Sequence, residues 1–309
     1  MRRAPRLRVL ADGEALPGVL GASVTTGGRA GARFRVHLAG RDAPAPDARI
    51  AVELDGATTL LGRADSAVTD LAAGTTELDG RDLSALLVEA RTAELFPNRT
   101  AGEVARSVAA RHGLQAEVTG EGSLAGRLYG REHGRLLLPA LGRARSDWDL
   151  LHALAEAEGF ALHVEGDTLH FGPPADEEPV ALDAKDCASV RLNRQLALSR
   201  GIGVTVQSWG TEAAAVVTAR AGRGTRQVLV RPNLQPAQAQ ALADRTLADL
   251  MRHERTVDLA LPGEAGVTAR RRVALSGAGG WDGTYAVLSL HRSLDVRAGY
   301  VERVRLGGV

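Results

Sequence analysis

Between Arg33 and Leu38 every second side chain is apolar. Phe34, Val36 and Leu38 alternate with Arg33, Arg35 and His37. The same beat runs through Leu7 and Val9, and through Ile50, Val52 and Leu54, with charged or small residues between them. A period of two with one polar face predicts antiparallel strands packed on one side and wetted on the other. Gly27-Gly28, Pro44, Pro46 and Ala73-Gly74 punctuate the runs as turns. Residues 1–82 therefore read as antiparallel sheet. Short β-prone runs return after residue 175, at Val204–Val206, Val216-Val217, Val228–Val230 and Val273–Leu275. One helix interrupts them, from Pro236 to about His253, with Ala239, Leu242, Ala243, Leu247 and Leu250 on one face. The middle, 83–175, ends at Phe171-Gly172-Pro173-Pro174 and the acidic run Asp176-Glu177-Glu178. Two prolines cannot continue a central strand, so a boundary is expected there.

That middle region carries a near-duplication. TAGEVARSVAARHGLQAEV (100–118) and SDWDLLHALAEAEGFALHV (146–164) align without a gap. Thr100 and Ser146 are good N-caps, each with a carboxylate three residues on, Glu103 or the shorter Asp149. Val104, Val108 and Ala109 in one copy, and Leu150, Leu151, Leu154 and Ala155 in the other, fall at helical spacing. Gly113 and Gly159 sit where a helix ends in a left-handed residue. Each copy thus predicts a capped helix feeding a strand, and packing of one copy on the other. Chance likeness between two amphipathic helices is the alternative. Beyond Gly159, Gly166-Asp167 suits a two-residue type II′ turn. That turn pairs Val164 with Leu169 and Leu162 with Phe171.

A chain of 309 residues holds two or three domains and buries a sizeable core without staples. Its net charge of +1 provides no global field for nucleic acid or anionic lipid. Lys185 is the sole lysine and Cys187 the sole cysteine, so no internal disulfide forms. The N-terminal MRRAPRLRVLADGE lacks an apolar core of signal-peptide type, and no apolar run reaches membrane-spanning length. Folding in the cytoplasm, without membrane insertion, is expected.

Candidate chemistry is sparse. On the predicted hairpin His163 faces His170, and Glu165 shares their side, a set that suits zinc only if the geometry converges. A solvated polar face is the simpler reading. Glu132-His133 with Asp147 or Asp149 offers acid–base groups, yet both aspartates stand at a helix start, where carboxylates serve capping and the dipole. Gly201-Ile202-Gly203, Gly222-Arg223-Gly224 and SGAGG (276–280) lack the GK[ST] or helix-opening pattern of phosphate loops and read as turns. Cys187 reads as an inert thiol. Arg270-Arg271-Arg272 reads as a solvated strand edge, or less simply as a surface for an acidic partner or DNA. Aromatic residues make up 3% of the chain, too few for a base-stacking platform. No catalytic, cofactor-binding or metal residue is assigned, and no cofactor is expected.

Several stretches, in order, resemble the late control protein D family of phage tail proteins, the baseplate hubs of contractile tails and related injection systems. They are also similar to the N-terminal part of type VI secretion spike proteins. The stretches are TELDGRDLSALLVEAR (76–91), NRTAGEVARSVAARHGL (98–114), SDWDLLHALAEAEGFALHVEGDTLHF (146–171), WDGTYAVLSLHRS (281–293) and GYVERVRL (299–306). Where the family often has Gln or a similar residue before its Asp-Trp pair, this chain has Arg143-Ala144-Arg145-Ser146. The resemblance implies an α+β, β-rich fold. Two tail-tube-like β-barrel domains (1–82 and 176–309, the latter with one long helix) would flank an inserted helix–hairpin domain (83–175). It implies a non-enzymatic homotrimer, a pseudo-sixfold ring joining a hexameric tail tube to a trimeric spike encoded separately. Tail tube or distal tail protein, spike, tape measure and other baseplate proteins are its implied partners, with DNA passing through the lumen. The implied location is the tail baseplate of a virion or tail-like particle, assembled in the bacterial cytoplasm. The rival readings are a tail-associated peptidoglycan hydrolase working through Glu132, Asp147 and Asp149, and an adaptor that loads a spike or effector.

Overall fold

A computed structural model describes residues 5–28, 31–91, 96, 98–122, 146–209, 216–231, 234–262, 266–296 and 299–308. The fold is α+β and β-rich. Its N-terminal strands are β1 (Leu7–Ala11), β2 (Glu14–Ala15), β3 (Val19–Thr26), β4 (Arg33–Ala39), β5 (Arg49–Leu54), β6 (Ala57–Asp70) and β7 (Thr75–Asp82). They pair in the order β3-β4-β7-β6-β5-β1-β2. The alternation behaves as its period requires: Phe34, Val36, Leu38, Ile50 and Val52 are buried with Val9, Val24, Leu60 and Leu78 in one core. On the other face Arg35 pairs with Asp79 at 2.8 Å and His37 with Glu77 at 3.4 Å.

Gly80-Arg81-Asp82-Leu83-Ser84 ends this unit, and each polar or small residue has a packing reason. A Cβ on Gly80 would lie 2.2 Å from the Arg63 carbonyl oxygen and 2.4 Å from Cζ of Phe34. The Phe34 ring therefore occupies the space a side chain would need. Arg81 forks onto Asp65 with two bonds of 2.7 Å. The Asp82 carboxylate accepts the Ala32 N–H at 2.7 Å and the Ser84 N–H at 3.1 Å, and also bonds the Ser84 hydroxyl. Burial pushes the Asp82 carboxyl above its usual range despite these donors. The short helix α1 (Ser84–Glu89) begins there.

The helices α2 (Ala101–Arg111) and α3 (Asp147–Glu158) are the twin segments. Thr100 and Glu103 form a reciprocal capping box; Ser146 Oγ accepts the Asp149 N–H at 3.1 Å. Gly159 ends α3 at φ 74°, in the left-handed region. Each helix feeds a strand, β8 (Gln115–Val118) or β9 (Ala161–Glu165), and the two strands do not pair with each other. Both flank β10 (Thr168–Gly172), β8 parallel to it and β9 antiparallel. The β9–β10 register is the one expected, with Val164 opposite Leu169 and Leu162 opposite Phe171. Gly166 takes φ 59° at the turn. Val104, Val108, Ala109, Leu150, Leu151, Ala155, Leu169 and Phe171 share one core, so the two copies do pack together. Leu154 lies at its margin, only partly buried.

The C-terminal strands are β11 (Val180–Asp183), β12 (Ser189–Arg194), β16 (Arg255–Pro262), β17 (Arg272–Ser276), β18 (Gly283–Asp295) and β19 (Gly299–Gly308). Val257, Leu259, Val273, Leu275, Leu290, Val304 and Leu306 form their core. Between β12 and β16 the chain builds a separate layer. There the short helix α4 (Leu196–Ser199) precedes β13 (Ile202–Ser208), β14 (Val217–Gly222) and β15 (Thr225–Val230), and the long helix α5 (Pro236–Met251) packs on them. Ala239, Leu242 and Ala243 of α5 bury against Val204, Val206, Ala219 and Ala221, with Leu247 and Leu250 at the margin. The expected helix is present, and the strands of its region divide between this layer and the main sheet.

The two β regions are hydrogen-bonded to each other. β18 pairs with β17 through Gly283–Ala286 and with β3 through Leu290–Asp295, joining β1–β7 with β11, β12 and β16–β19 in one 13-stranded sheet. A bulge between Val287 and Ser289 separates the two pairings. An extra residue there bends and twists the strand where it changes partner. Among the described residues hydrogen bonding closes neither half into a barrel.

On the core side of this seam Arg292 and Glu302 stand opposite one another. Glu302 is fully buried and accepts from Arg292 Nε and from the Tyr300 hydroxyl, each at 2.9 Å. Arg292 also donates to the Val267 carbonyl at 2.7 Å. Removing one member of such a pair leaves the other charge buried. Glu302→Gln is therefore expected to cost about 3–5 kcal/mol in urea unfolding, and an Arg292→Met/Glu302→Leu double variant to regain most of it. Equal losses in both would show that the pair is not acting as a unit.

Candidate functional site

The acid–base candidates resolve into a joint. Asp147 is the first residue of α3, and its side chain is almost wholly buried. Its carboxylate lies 2.7 Å from His112 Nε2 and 3.3 Å from Arg111 Nη1, both at the C-terminal end of α2. Its backbone N–H donates to the Ala90 carbonyl just beyond α1 at 3.0 Å. The carboxylate thus binds the end of one twin helix to the start of the other. Favourable dipole ends meet there, cation at a C-terminus and anion at an N-terminus. Trp148, next in the chain, is buried and meets His152 edge-on at 4.8 Å. Asp147-Trp148, the Asp-Trp pair of the family resemblance, packs here as a joint between helices. Glu132 and His133 lie outside the described residues.

The arginine triplet finds its acidic partner inside the chain. Arg270 pairs with Glu165 at 2.7 Å and Arg271 with Glu177 at 3.2 Å, while Arg272 pairs with Asp176. The basic run at the start of β17 therefore clamps the acidic segment after Pro173-Pro174, and reaches the β9–β10 hairpin as well. A second tie comes from α5, where Arg245 donates to the Ala157 carbonyl at the end of α3 at 3.1 Å. The sequence presented these charges as separate runs; only the folded chain pairs them.

The hairpin face is the one place among the described residues where metal-ligating groups gather. His163, Glu165 and His170 each offer an atom within 4.8 Å of the others. The imidazoles of His163 and His170 stack at 4.4 Å with 13° between planes. His170 Nδ1 lies 3.2 Å from Glu117 of β8, and His163 Nε2 is buried with no hydrogen-bond partner. Burial, then the charges of Arg270 and His170, hold the His163 pKa down to about 3.

Other candidates are quiet. The Cys187 thiol is pushed up by burial and by Asp186 and Asp183, so it is a poor nucleophile at neutral pH. The three glycine clusters lie at strand ends and turns, as their sequence implied. Arg255 lies 4.3 Å from the Trp281 ring centre, a surface cation–π contact.

His163 gives the fold a pH dependence of definite sign. The unfolded histidine takes up a proton near its ordinary 6.5, whereas the folded one does not until about pH 3. Stability is complete above pH 6.5 and is lost as pH falls through that window, by less than the limiting ~1.4 kcal/mol per pH unit for one proton. Burial also lowers the pKa of His291, which acts in the same direction. In chelator-containing buffer, a His163→Gln variant should show a flatter dependence of its urea midpoint between pH 7 and 5; an unchanged slope would refute the assignment.

No protein-family model matches the chain, and a search of curated proteins finds no match. Solved structures do match. The 43 kDa tail protein of prophage MuSo2 from Shewanella oneidensis superposes with TM-score 0.78 at 15% identity, over 99% of this chain and 98% of that one. The tail protein from Neisseria meningitidis MC58 gives TM-score 0.78 at 18% identity, over 99% and 97%. An E. coli component of the type VI secretion system, described as similar to the bacteriophage T4 tail proteins gp27 and gp5, gives 0.62 at 12% identity, over 98% and 77%. At these identities the likeness is one of fold, and it extends from one end of the chain to the other.

Proposed function

We propose that this chain is a structural component of a phage tail or tail-like injection particle, and within it the baseplate hub. The observation that carries the reading is the end-to-end match of fold to two proteins described as tail proteins. Two β units within one chain, welded edge to edge through β18 and β3, supply the arithmetic such a position needs. Three subunits present six β units toward a hexameric tube and keep a threefold axis for a spike. In this reading the two units are tail-tube-like, the helix–hairpin region 83–175 faces the surrounding baseplate proteins, and DNA passes through the lumen without sequence-specific contacts. Spike, tube or distal tail protein and tape measure are the partners. The particle is assembled in the bacterial cytoplasm.

Surface and site chemistry support a role in assembly over catalysis. Trp209, Val216, Val228 and Val230 stand exposed around the small β13–β15 sheet, apolar area of the kind that neighbouring subunits cover. Asp147, one of the three carboxylates of the hydrolase reading, is committed to Arg111 and His112. Among the described residues no helix is long and apolar enough to cross a membrane.

Native mass spectrometry and negative-stain imaging of the purified chain, alone and with the neighbouring spike protein, test the proposal. A homotrimer that images as a ring with threefold symmetry is expected. A chain that stays monomeric under both conditions would overturn the hub and leave the adaptor.

A further inference from the structure

We propose that His163, His170 and Glu165 form a binding site for a divalent transition ion of the zinc class, one per chain. The inference stands apart from the assembly role and rests on strand geometry. His163 and Glu165 are two residues apart on β9 and share a face, and His170 stands directly opposite His163 on β10. Two ligands at i and i+2 on one strand, with a third across from the first, make a three-point platform on a rigid sheet. Their donor atoms lie within 4.8 Å of one another. Ligands around tetrahedral zinc, bound at about 2.1 Å, sit about 3.4 Å apart. Binding therefore requires the side chains to rotate out of the present ring stack. Two imidazoles and a carboxylate favour zinc, cobalt or nickel over magnesium or calcium, and water takes the fourth position.

Two further features fit the same site. Glu117 on β8 is in register with His170 and lies 3.2 Å from its Nδ1. That contact sets a carboxylate beside His170 Nδ1, the kind of neighbour that supports a metal-bound histidine. His163 Nε2, for its part, is buried and has no hydrogen-bond partner, an unmet need that a metal satisfies. One group opposes binding. Arg270 holds Glu165 at 2.7 Å, so an entering ion must compete with a guanidinium for the carboxylate. Arg270 lies next to β17, outside the helix–hairpin region; the site therefore trades a tie between two parts of the chain for a metal bond.

The test is calorimetric titration of the metal-stripped full chain with Zn²⁺, paired with the visible d–d spectrum of Co²⁺. One ion per chain is expected, with a spectrum of low-coordinate cobalt. Glu165→Gln, at an exposed ligand, should weaken binding at least tenfold, and His163→Ala or His170→Ala should abolish it. Glu117→Ala should weaken it about tenfold through the lost support of His170. Arg270→Gln should tighten it several-fold, a gain that ions held loosely on surface carboxylates would not show. Absence of binding in the wild-type chain overturns the proposal. So does binding that Glu165→Gln and Arg270→Gln leave unchanged. Both of these substitutions replace side chains that reach solvent, so the test stands even if the histidine variants fail to fold.

Discussion

The six-residue pairing of β18 with β3 is the constraint on which the architecture depends. It joins strands from opposite ends of the sequence and turns two β units into one sheet. Each unit alone would present an unpaired edge at this place, a template for unwanted pairing. Here each edge satisfies the other. The bulge near Leu288 lets one strand serve both partners by bending between them. The buried Arg292–Glu302 pair lies on the core side of that strand. A charge pair there makes register specific, because a one-residue slip would turn both groups to the other face and leave the Val267 carbonyl without its donor.

Around the seam, charged groups that look like chemistry in a linear reading serve as fasteners. Asp147 closes the joint between the twin helices. Arg270, Arg271 and Arg272 hold the hairpin and the segment after the double proline. Arg245 caps the last turn of α3 from a different layer. Asp147 is buried between helices that share one core, whereas the arginine pairs are exposed and each worth little. Arg270 and Arg245 link segments whose hydrophobic cores are separate. The His163 face differs, since its groups are only partly satisfied by protein partners.

Much of this was legible in the sequence, and the limits have a physical cause. Period-two alternation located the strands at Phe34–Leu38 and Ile50–Val52 and their buried faces, because side-chain direction in a strand is a local property. Caps and a C-terminal glycine delimited the helices after Thr100 and Ser146 for the same reason. The hairpin register followed from a two-residue turn at Gly166-Asp167. Pairings between distant segments were not legible. Nothing in Gly21–Thr26 announces Leu290–Asp295, and the partner of the arginine triplet could have been another molecule. The layer built by β13, β14, β15 and α5 was seen as strands and a helix but not as a unit, since its core is defined only by which apolar faces meet. At the candidate site the three ligands were nameable from the hairpin, while Glu117 and Arg270 come from elsewhere in the chain.

The seam also orders events in time. Thr25 and His291, hydrogen-bonded across it at 2.8 Å, are 266 positions apart. At typical elongation rates β3 is synthesised roughly 13–53 s before its partner. Through that interval the nascent chain carries an open strand edge, which a second nascent copy on the same message could capture. Translation speed and chaperone access thereby bear on a molecule whose finished form covers the Gly21–Thr26 edge.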